Sequence, residues 1–423
     1  MEMNEGYKQV GESVIPNDWD CVELDKVAHA FNGKATGVGG SRLRVFKTKH
    51  VYHGKVRLSQ AEFVPDRYVD VIPRDTYLET GDVLTPNTAH GTIGRVSLVP
   101  HLDFPSVCDG QVMVIRSLDQ ARLNSHFAYQ FLSSNGGRQQ ILQREVGSIF
   151  GPVRGQTHLY PDDVLTLSVP LPNSDEQEAI AEALSDADAL IESLEQLIAK
   201  KRKINQGAMQ ELLTGKIRLP VFSGRWEVKR IADIGTPSSE KNWAQEDLKV
   251  LTCSKHLGFV ESLGYFKNQV FSKDTSGYKV IRRGEIGYPS NHVEEGSIGL
   301  QDRYDSALVS PIYVIFSVCD DVDSYFLHRL LKLDSYRQEF AKATLSSVDR
   351  RGSLRWPAFS ELTVVLPPTK DEQIAITEIL RDMEAEIAAL DTKLRKARQV
   401  KQGMMQELLT GKIRLIQPEA SYA

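Results

Sequence analysis

Beyond residue 175 apolar residues recur as Ile180, Leu184, Ala187, Ile191, Leu194 and Ile198, at steps of four, three, four, three and four. That alternation is the seam of an amphipathic helix that packs on a neighbour. Ala183, Leu190, Leu197 and Ile204 widen the stripe. The pattern returns at Ile376, Leu380, Met383, Ile387, Leu390 and Leu394, with Ile379 and Val400 beside it. Each run follows a proline-bearing extended segment and starts at a capping-box pattern, Ser174 with Gln177 and Thr369 with Glu372. Each closes on Thr-Gly, at Gly215 and Gly411, where a helix takes a left-handed residue. The spacing predicts two helices of about 38 residues, each on the order of 57 Å long at about 1.5 Å per residue. Short β-rich runs broken by Gly, Pro and Asn, such as Val112-Met113-Val114-Ile115 and Ile312-Tyr313-Val314-Ile315-Phe316, predict a mixed module before each helix. The expected class is α+β.

The two helical segments are copies of each other. Asp175 to Leu219 aligns without a gap on Asp371 to Leu415, and 26 of the 45 positions are identical. The chain then divides as residues 1–173, a first spacer helix at 174–219, residues 220–368, a second spacer helix at 369–415 and a tail at 416–423. The modules are diverged copies too. Pro16-Asn17-Asp18-Trp19 opens one and Ser223-Gly224-Arg225-Trp226 the other. Gly81 to Pro86 followed by Gly91-Thr92-Ile93-Gly94 matches Gly284 to Pro289 followed by Gly296-Ser297-Ile298-Gly299. Between these blocks lie four residues in one module and six in the other. A constant frame thus carries a loop that changes.

Charge along the helices fixes how they pair. Asp175 to Glu195 holds eight acidic residues and no basic one, while Lys200 to Arg218 holds six basic residues against Glu211 alone. The second copy divides likewise, acidic from Asp371 to Asp391 except for Arg381, then basic from Lys393 to Arg414 except for Glu407. Parallel packing would set like charges side by side, whereas antiparallel packing lays each acidic half on a basic half. An antiparallel pair is expected. Gly207 and Gly403 sit inside the helices at matched positions, where glycine costs about 1 kcal/mol relative to alanine, and suggest a close helix or partner contact or a kink.

Composition narrows the classes without deciding among them. The chain has 423 residues, 41% hydrophobic and 25% charged, enough for two or three domains with real cores. Its net charge of -5 is not the overall basic surplus of many nucleic-acid binders, so any such surface must be local. No apolar run suits a signal peptide or a membrane span, and the protein is expected to stay in the cytoplasm. Cys21, Cys108, Cys253 and Cys319 are far apart and in no ligand spacing, so neither zinc nor a disulfide framework is expected; they read as buried small apolar residues.

The changing loops carry side chains able to hydrogen-bond base edges or phosphates: Asn87, Thr88 and His90 in the first module, Ser290, Asn291 and His292 in the second. Lys47, Lys49 and His50, and in the other module Lys255 and His256, each follow an apolar run. Arg154-Gly155 and Arg350-Arg351-Gly352 place basic residues beside a glycine that lets backbone approach phosphate.

With the P-x-x-W opening, the Gly81-Asp82-Val83 signature, the apolar-Pro run before Asp-Glu-Gln and the doubled Gln-Glu-Leu-Leu-Thr-Gly-Lys-Ile-Arg-Leu terminator, the chain resembles the specificity subunit of type I restriction-modification systems over essentially its whole length. The resemblance implies a non-catalytic subunit without a cofactor. Two globular target recognition domains would each bind half of an asymmetric bipartite sequence in double-stranded DNA. Two long antiparallel helices, a coiled coil of pseudo-twofold symmetry, would hold them apart. It further implies docking of two methyltransferase subunits and, through them, two restriction subunits. Independently, a rod on the order of 57 Å spans roughly 17 base pairs at about 3.4 Å each, which suits half-sites about one helical turn apart. Against an enzyme stands the lack of an amino-methyltransferase N-P-P-Y motif, a Walker motif or a convincing nuclease pattern; Pro161-Asp162-Asp163 reads as a turn. A coiled-coil adaptor that does not bind DNA is the remaining alternative.

Overall fold

The computed structural model describes residues 6–10, 13–35, 37–52, 54–88, 91–147, 157–266, 268–346 and 353–416. Its longest elements are the helices Ser174–Leu212 and Lys370–Leu408, each of 39 residues. Both end where the sequence places glycine: Gly215 at φ +69° and Gly411 at φ +67° take the left-handed turn that lets the following amides close on the last carbonyls. The start is built differently from a capping box. Asn173 caps the first helix, its side chain accepting from the Glu176 amide at 2.9 Å, and the Thr369 hydroxyl accepts from the Glu372 amide at 3.4 Å. Gln177 and Glu372 do not return to their caps; both are drawn into the adjoining module, where burial outweighs the local bond.

The chain forms two compact units, Met1–Glu195 with Thr392–Ala423, and Gln196–Asp391. Each unit is one module, the first half of the helix that follows it, and the second half of the other helix. In the first unit Lys401 donates to Asp188 at 2.6 Å and Arg398 to Glu195 at 2.5 Å. In the second, Lys201 reaches Glu386 at 2.7 Å and Arg202 reaches Asp391 at 2.8 Å. Acidic starts therefore lie on basic ends within both units, the antiparallel arrangement that the charge division predicts. Lys401–Asp188 is part-buried, but the three exposed pairs contribute only about 0.2–1 kcal/mol each, so they select direction and register more than they stabilise.

Stability comes from the seam, and much of that seam belongs to the modules. Ile180 and Leu184 are fully buried in one core with Trp19, Phe127, Met405, Leu408 and Leu409. Ile376 and Leu380 enter the other core with Leu212, Leu213, Phe326 and Phe359. A buried leucine or isoleucine contributes about 1.5–3 kcal/mol. At mid-helix Leu194, Ile198 and Leu394 are buried, whereas Ile191, Ile387 and Leu390 are half-buried. Leu190, Leu197, Ile204, Ile379 and Val400 are exposed, so the stripe is the narrow seam of a two-helix contact rather than the wide face expected.

The modules share a sheet order. In the first, strands run Ala28–Asn32, Val112–Ser117, Val83–Pro86, Ser97–Leu98, Gly54–Lys55. In the second they run Gly235–Ser238, Tyr313–Val318, Ile286–Pro289, Gly299–Leu300. The central pairs are antiparallel, with Val112 opposite Pro86 and Tyr313 opposite Pro289. Two strands close each module at its base: Asp20–Glu23 on Ser168–Leu171, and Glu227–Arg230 on Thr363–Leu366. All four cysteines are free; Cys108 and Cys253 are buried and Cys21 partly so, but Cys319 is exposed, against expectation.

Gly207 and Gly403 give a further correction. A Cβ at either position would have no heavy atom within 4 Å among its surroundings, and both helices run through them unbroken. Neither glycine serves a close contact within the chain. Gly207→Ala and Gly403→Ala should each raise stability by about 1 kcal/mol, read as a higher denaturant midpoint of the isolated chain; a loss would show that the backbone there needs glycine.

Candidate nucleic-acid interface

The register at the base of each module explains its best-kept residues. Pairing Leu171 with Asp20 sets Trp19, one residue before the strand, beside the helix that starts just after Leu171. The Trp19 indole N–H donates to Glu176 at 3.0 Å. Arg414, at the end of the second repeat, donates to the same carboxylate at 2.7 Å and to Asp18 at 2.8 Å. Glu176 is 0% exposed, a charge tolerated because it is paired and fully hydrogen-bonded. The second unit repeats this with Trp226 donating to Glu372 at 3.2 Å and Arg218 to Glu372 at 2.7 Å. Gly411 packs on Pro16 and Trp19, and Gly215 on Trp226, so closely that a Cβ would collide with Pro16 and press on both indoles. Gln177 and Gln373 finish the joint: their side-chain oxygens accept from the amides of Asn124 and Asp323, at 2.9 and 2.8 Å, and their NH₂ groups donate to loop carbonyls. These clasps were not foreseen as contacts, although identity in both copies was their signal.

The structure separates the predicted recognition residues. His50 is buried: its Nδ1 accepts from the Lys47 amide at 2.8 Å, which leaves Nε2 to donate to the Gln60 carbonyl at 2.9 Å. Burial lowers its pKa and keeps it neutral. Asn87 is also buried, donating to Asn32 at 2.7 Å and to the Gly110 carbonyl at 2.9 Å, and Ser290 is 7% exposed with its backbone bonded to Ile312 and Leu354. His50 and Asn87 thus shape loops from within instead of facing a ligand. Lys47 and Lys49 share Glu62, at 2.9 and 2.8 Å, and together hold that carboxyl down at about 2. Thr88 and Asn291 are half-buried at the loop starts. Lys255 and His256 are exposed at the tip of the hairpin formed by Leu251–Ser254 and Gly258–Glu261, and His292 is exposed, 3.1 Å from Glu295. His90, Arg154, Arg350 and Arg351 lie outside the described residues.

The Gly-Asp-Val signature is structural as well. Gly81 turns at φ +93°, and Asp82 beneath it accepts two bonds from Arg116, both 2.8 Å. Burial raises the Asp82 pKa in spite of that partner. At the matched turn Gly284 has φ +87° and Glu285 accepts from the Arg282 amide at 2.6 Å. The donor atoms of His292, Glu294 and Glu295 come within 4.8 Å of one another. As His292 and Glu295 already lie within hydrogen-bond distance, 3.1 Å apart at the surface, that grouping is accounted for without a metal ion.

Two modules with one sheet order, each locked by a Trp–Glu–Arg clasp to two antiparallel helices, form a duplicated scaffold, and the comparisons with known proteins say what it is similar to. The family model described as the type I restriction modification DNA specificity domain matches residues 16–201. The chain is 27% identical over 223 residues to the specificity subunit of type I restriction enzyme MjaVIII of Methanocaldococcus jannaschii. That stretch is 50% of this chain and 48% of the relative, about half the length of each. A second protein of that organism, assigned as the specificity subunit of type I restriction enzyme MjaX, is 21% identical over 439 residues and 97% of both chains. The S subunit of a type I restriction-modification system from M. genitalium has a crystal structure with the same fold, at a TM-score of 0.56 and 16% identity, covering 96% of this chain and 99% of that one. The chain is thus similar to type I restriction-modification specificity subunits, and residues 16–201 match their DNA specificity domain.

Two stability measurements test the site's construction. Arg414→Ala strands the buried Glu176 carboxylate and should cost about 3–5 kcal/mol, whereas Lys201→Ala at the exposed Glu386 pair should cost no more than about 1 kcal/mol; equal losses in chemical denaturation would refute the clasp. A second test is pH. Desolvation lowers the pKa of His328, whose Nε2 lies 3.3 Å from the Ile298 carbonyl, to about 4. Below its ordinary 6.5, such a value means a contribution present above pH 6.5 and lost as the pH falls toward 4. His328→Gln should therefore show a smaller drop in denaturant midpoint between pH 7 and pH 4.5 than the parent chain.

Proposed function

We propose that the chain reads DNA sequence for a type I restriction-modification complex without performing chemistry itself. Residues 1–173 and 220–368 act as recognition domains, each on one half of an asymmetric bipartite target. The segments 174–219 and 369–415 set the unread spacing between the halves. The single observation that carries this reading is the contrast within one scaffold: sheets, clasps and helices are duplicated, while the loops after Pro86 and Pro289 differ in length and side chains. Recognition by loops on a rigid frame is how one architecture serves many targets. Lys49, Lys255, His256 and His292, exposed at the surface, are the described candidates for base or phosphate contact, with Thr88 and Asn291 beside them. The helix faces around the exposed Gly207 and the half-buried Gly403 suit docking of two methyltransferase subunits, which would in turn carry two restriction subunits.

Methylome sequencing of the host tests the reading. An interrupted adenine-methylated motif should disappear when the gene is deleted, and exchange of residues 1–173 for those of another specificity subunit should alter one half of the motif only. Lengthening both helices by one turn should change the spacer and leave both halves intact. Loss of no motif, or a change in both halves on a single exchange, would refute modular reading.

A further inference from the structure

Each unit has a cleft where its module meets its helices, and the two clefts are equivalents. In the first unit Leu98, His126, Tyr129, Gln130, Ser185 and Asp188 line it. In the second, the matched positions are Leu300, Tyr325, His328, Arg329, Arg381 and Glu384, in a cleft of about 610 Å³. The side chain that bridges to the helix carboxylate is kept in kind: Gln130 donates to Asp188 at 3.0 Å, and Arg329 makes two bonds to Glu384 at 2.5 and 2.7 Å.

The charges around that bridge are not kept. The second cleft is lined by Arg303, Arg329, Lys332 and Arg381 against Asp302 and Glu384, two cations in excess. The first is lined by Arg57 against Asp188, Glu192 and Glu195, and Lys401 and Arg398 pair with two of those acids, which leaves no excess. At three matched positions a neutral residue becomes basic: Gln130, Ser133 and Ser185 stand where the second unit has Arg329, Lys332 and Arg381. Arg329 is consumed by Glu384. Arg381 is exposed, lies 4.9 Å from the Tyr325 ring and forms no ion pair among the described residues; Arg303, also exposed, forms none either. Lys332 gives two of its protons to the Lys255 and Gly296 carbonyls at 2.6 and 2.9 Å, which fixes its ammonium at the cleft wall with a third proton left. Desolvation there lowers its pKa, a cost that a bound anion would offset.

We infer that the cleft of the second unit binds a phosphate group, held between the guanidinium groups of Arg303 and Arg381 and the Lys332 ammonium. A guanidinium offers phosphate paired, parallel donors, and a volume of this size accepts a small ligand. The group comes either from a free phosphorylated small molecule or from the backbone of bound nucleic acid. The first unit, lacking all three cations, does not share the site.

Inorganic pyrophosphate is the probe, titrated calorimetrically into the full chain at low ionic strength. One site per chain is expected. Arg381→Ser, which installs the residue of the first unit, combined with Arg303→Ala, should weaken binding by at least about tenfold with an unchanged melting temperature. The reciprocal change, Ser185→Arg with Ser133→Lys, should raise the stoichiometry toward two. If a short duplex competes with pyrophosphate and is itself weakened by Arg381→Ser, the phosphate is that of nucleic acid; if it does neither, the ligand is a free phosphate. No binding to the parent chain at millimolar pyrophosphate, or equal binding by the folded double variant, would overturn the assignment.

Discussion

A buried carboxylate shared by three parts of the chain is the constraint on which the architecture depends. Glu176 is reached by an indole from the start of its own module and by a guanidinium from the end of the second helix, separated by 157 and 238 residues. Neither partner alone suffices, since an ionised group without exposure needs its remaining lone pairs satisfied. Forming the clasp thus requires that module, helix start and opposite helix end arrive together. Because Glu372 repeats the requirement with Trp226 and Arg218, each helix is held at both termini, and by different units at its two ends. The antiparallel direction follows from this as strictly as from the exposed ion pairs, and with more energy behind it.

That division of labour explains what the repeat conserves. Leu213 and Leu409, at matched positions, are both buried in module cores, and the glycines two residues later press on tryptophan. Within the terminator Leu212 and Leu213 are buried as Leu408 and Leu409 are, and Arg218 and Arg414 each reach a buried glutamate. By contrast the helix middle, where Leu190 and Leu197 face Glu386 and Lys393 in the repeat alignment, has drifted, as those positions are exposed and little depends on them.

Much of this was legible in the sequence. Heptad spacing located both helices, the terminal glycines their ends, and the change of charge sign their direction, because each of these is a local pattern with a period or a sign. Strands at Val83–Pro86 and Ile286–Pro289 follow from apolar runs bounded by glycine. What escaped depends on three-dimensional closure. His50 and Asn87 look like surface donors because polarity alone does not tell a ligand contact from an internal strut, and only the backbone groups of Gln60 and Gly110 reveal which they are. The capping-box pattern held for the Thr369 hydroxyl, but its reciprocal half failed for a related reason: Gln177 had a better partner 53 residues away than its own cap.

Duplication also supplies an internal control for function. Where the two units agree, at Trp, Glu, Arg, Gln and the left-handed glycines, burial and hydrogen bonding account for the residue, and nothing about a ligand need be invoked. Where they differ at matched positions on one frame, the frame does not require one residue type, since the other unit folds with the alternative residue. The loops after Pro86 and Pro289 differ in this way, and so do the cleft positions where serine and glutamine give way to arginine and lysine. Arg381, exposed, against the Tyr325 ring and in no ion pair among the described residues, has a serine at its twin, so its charge is free to meet charge that arrives from outside the chain.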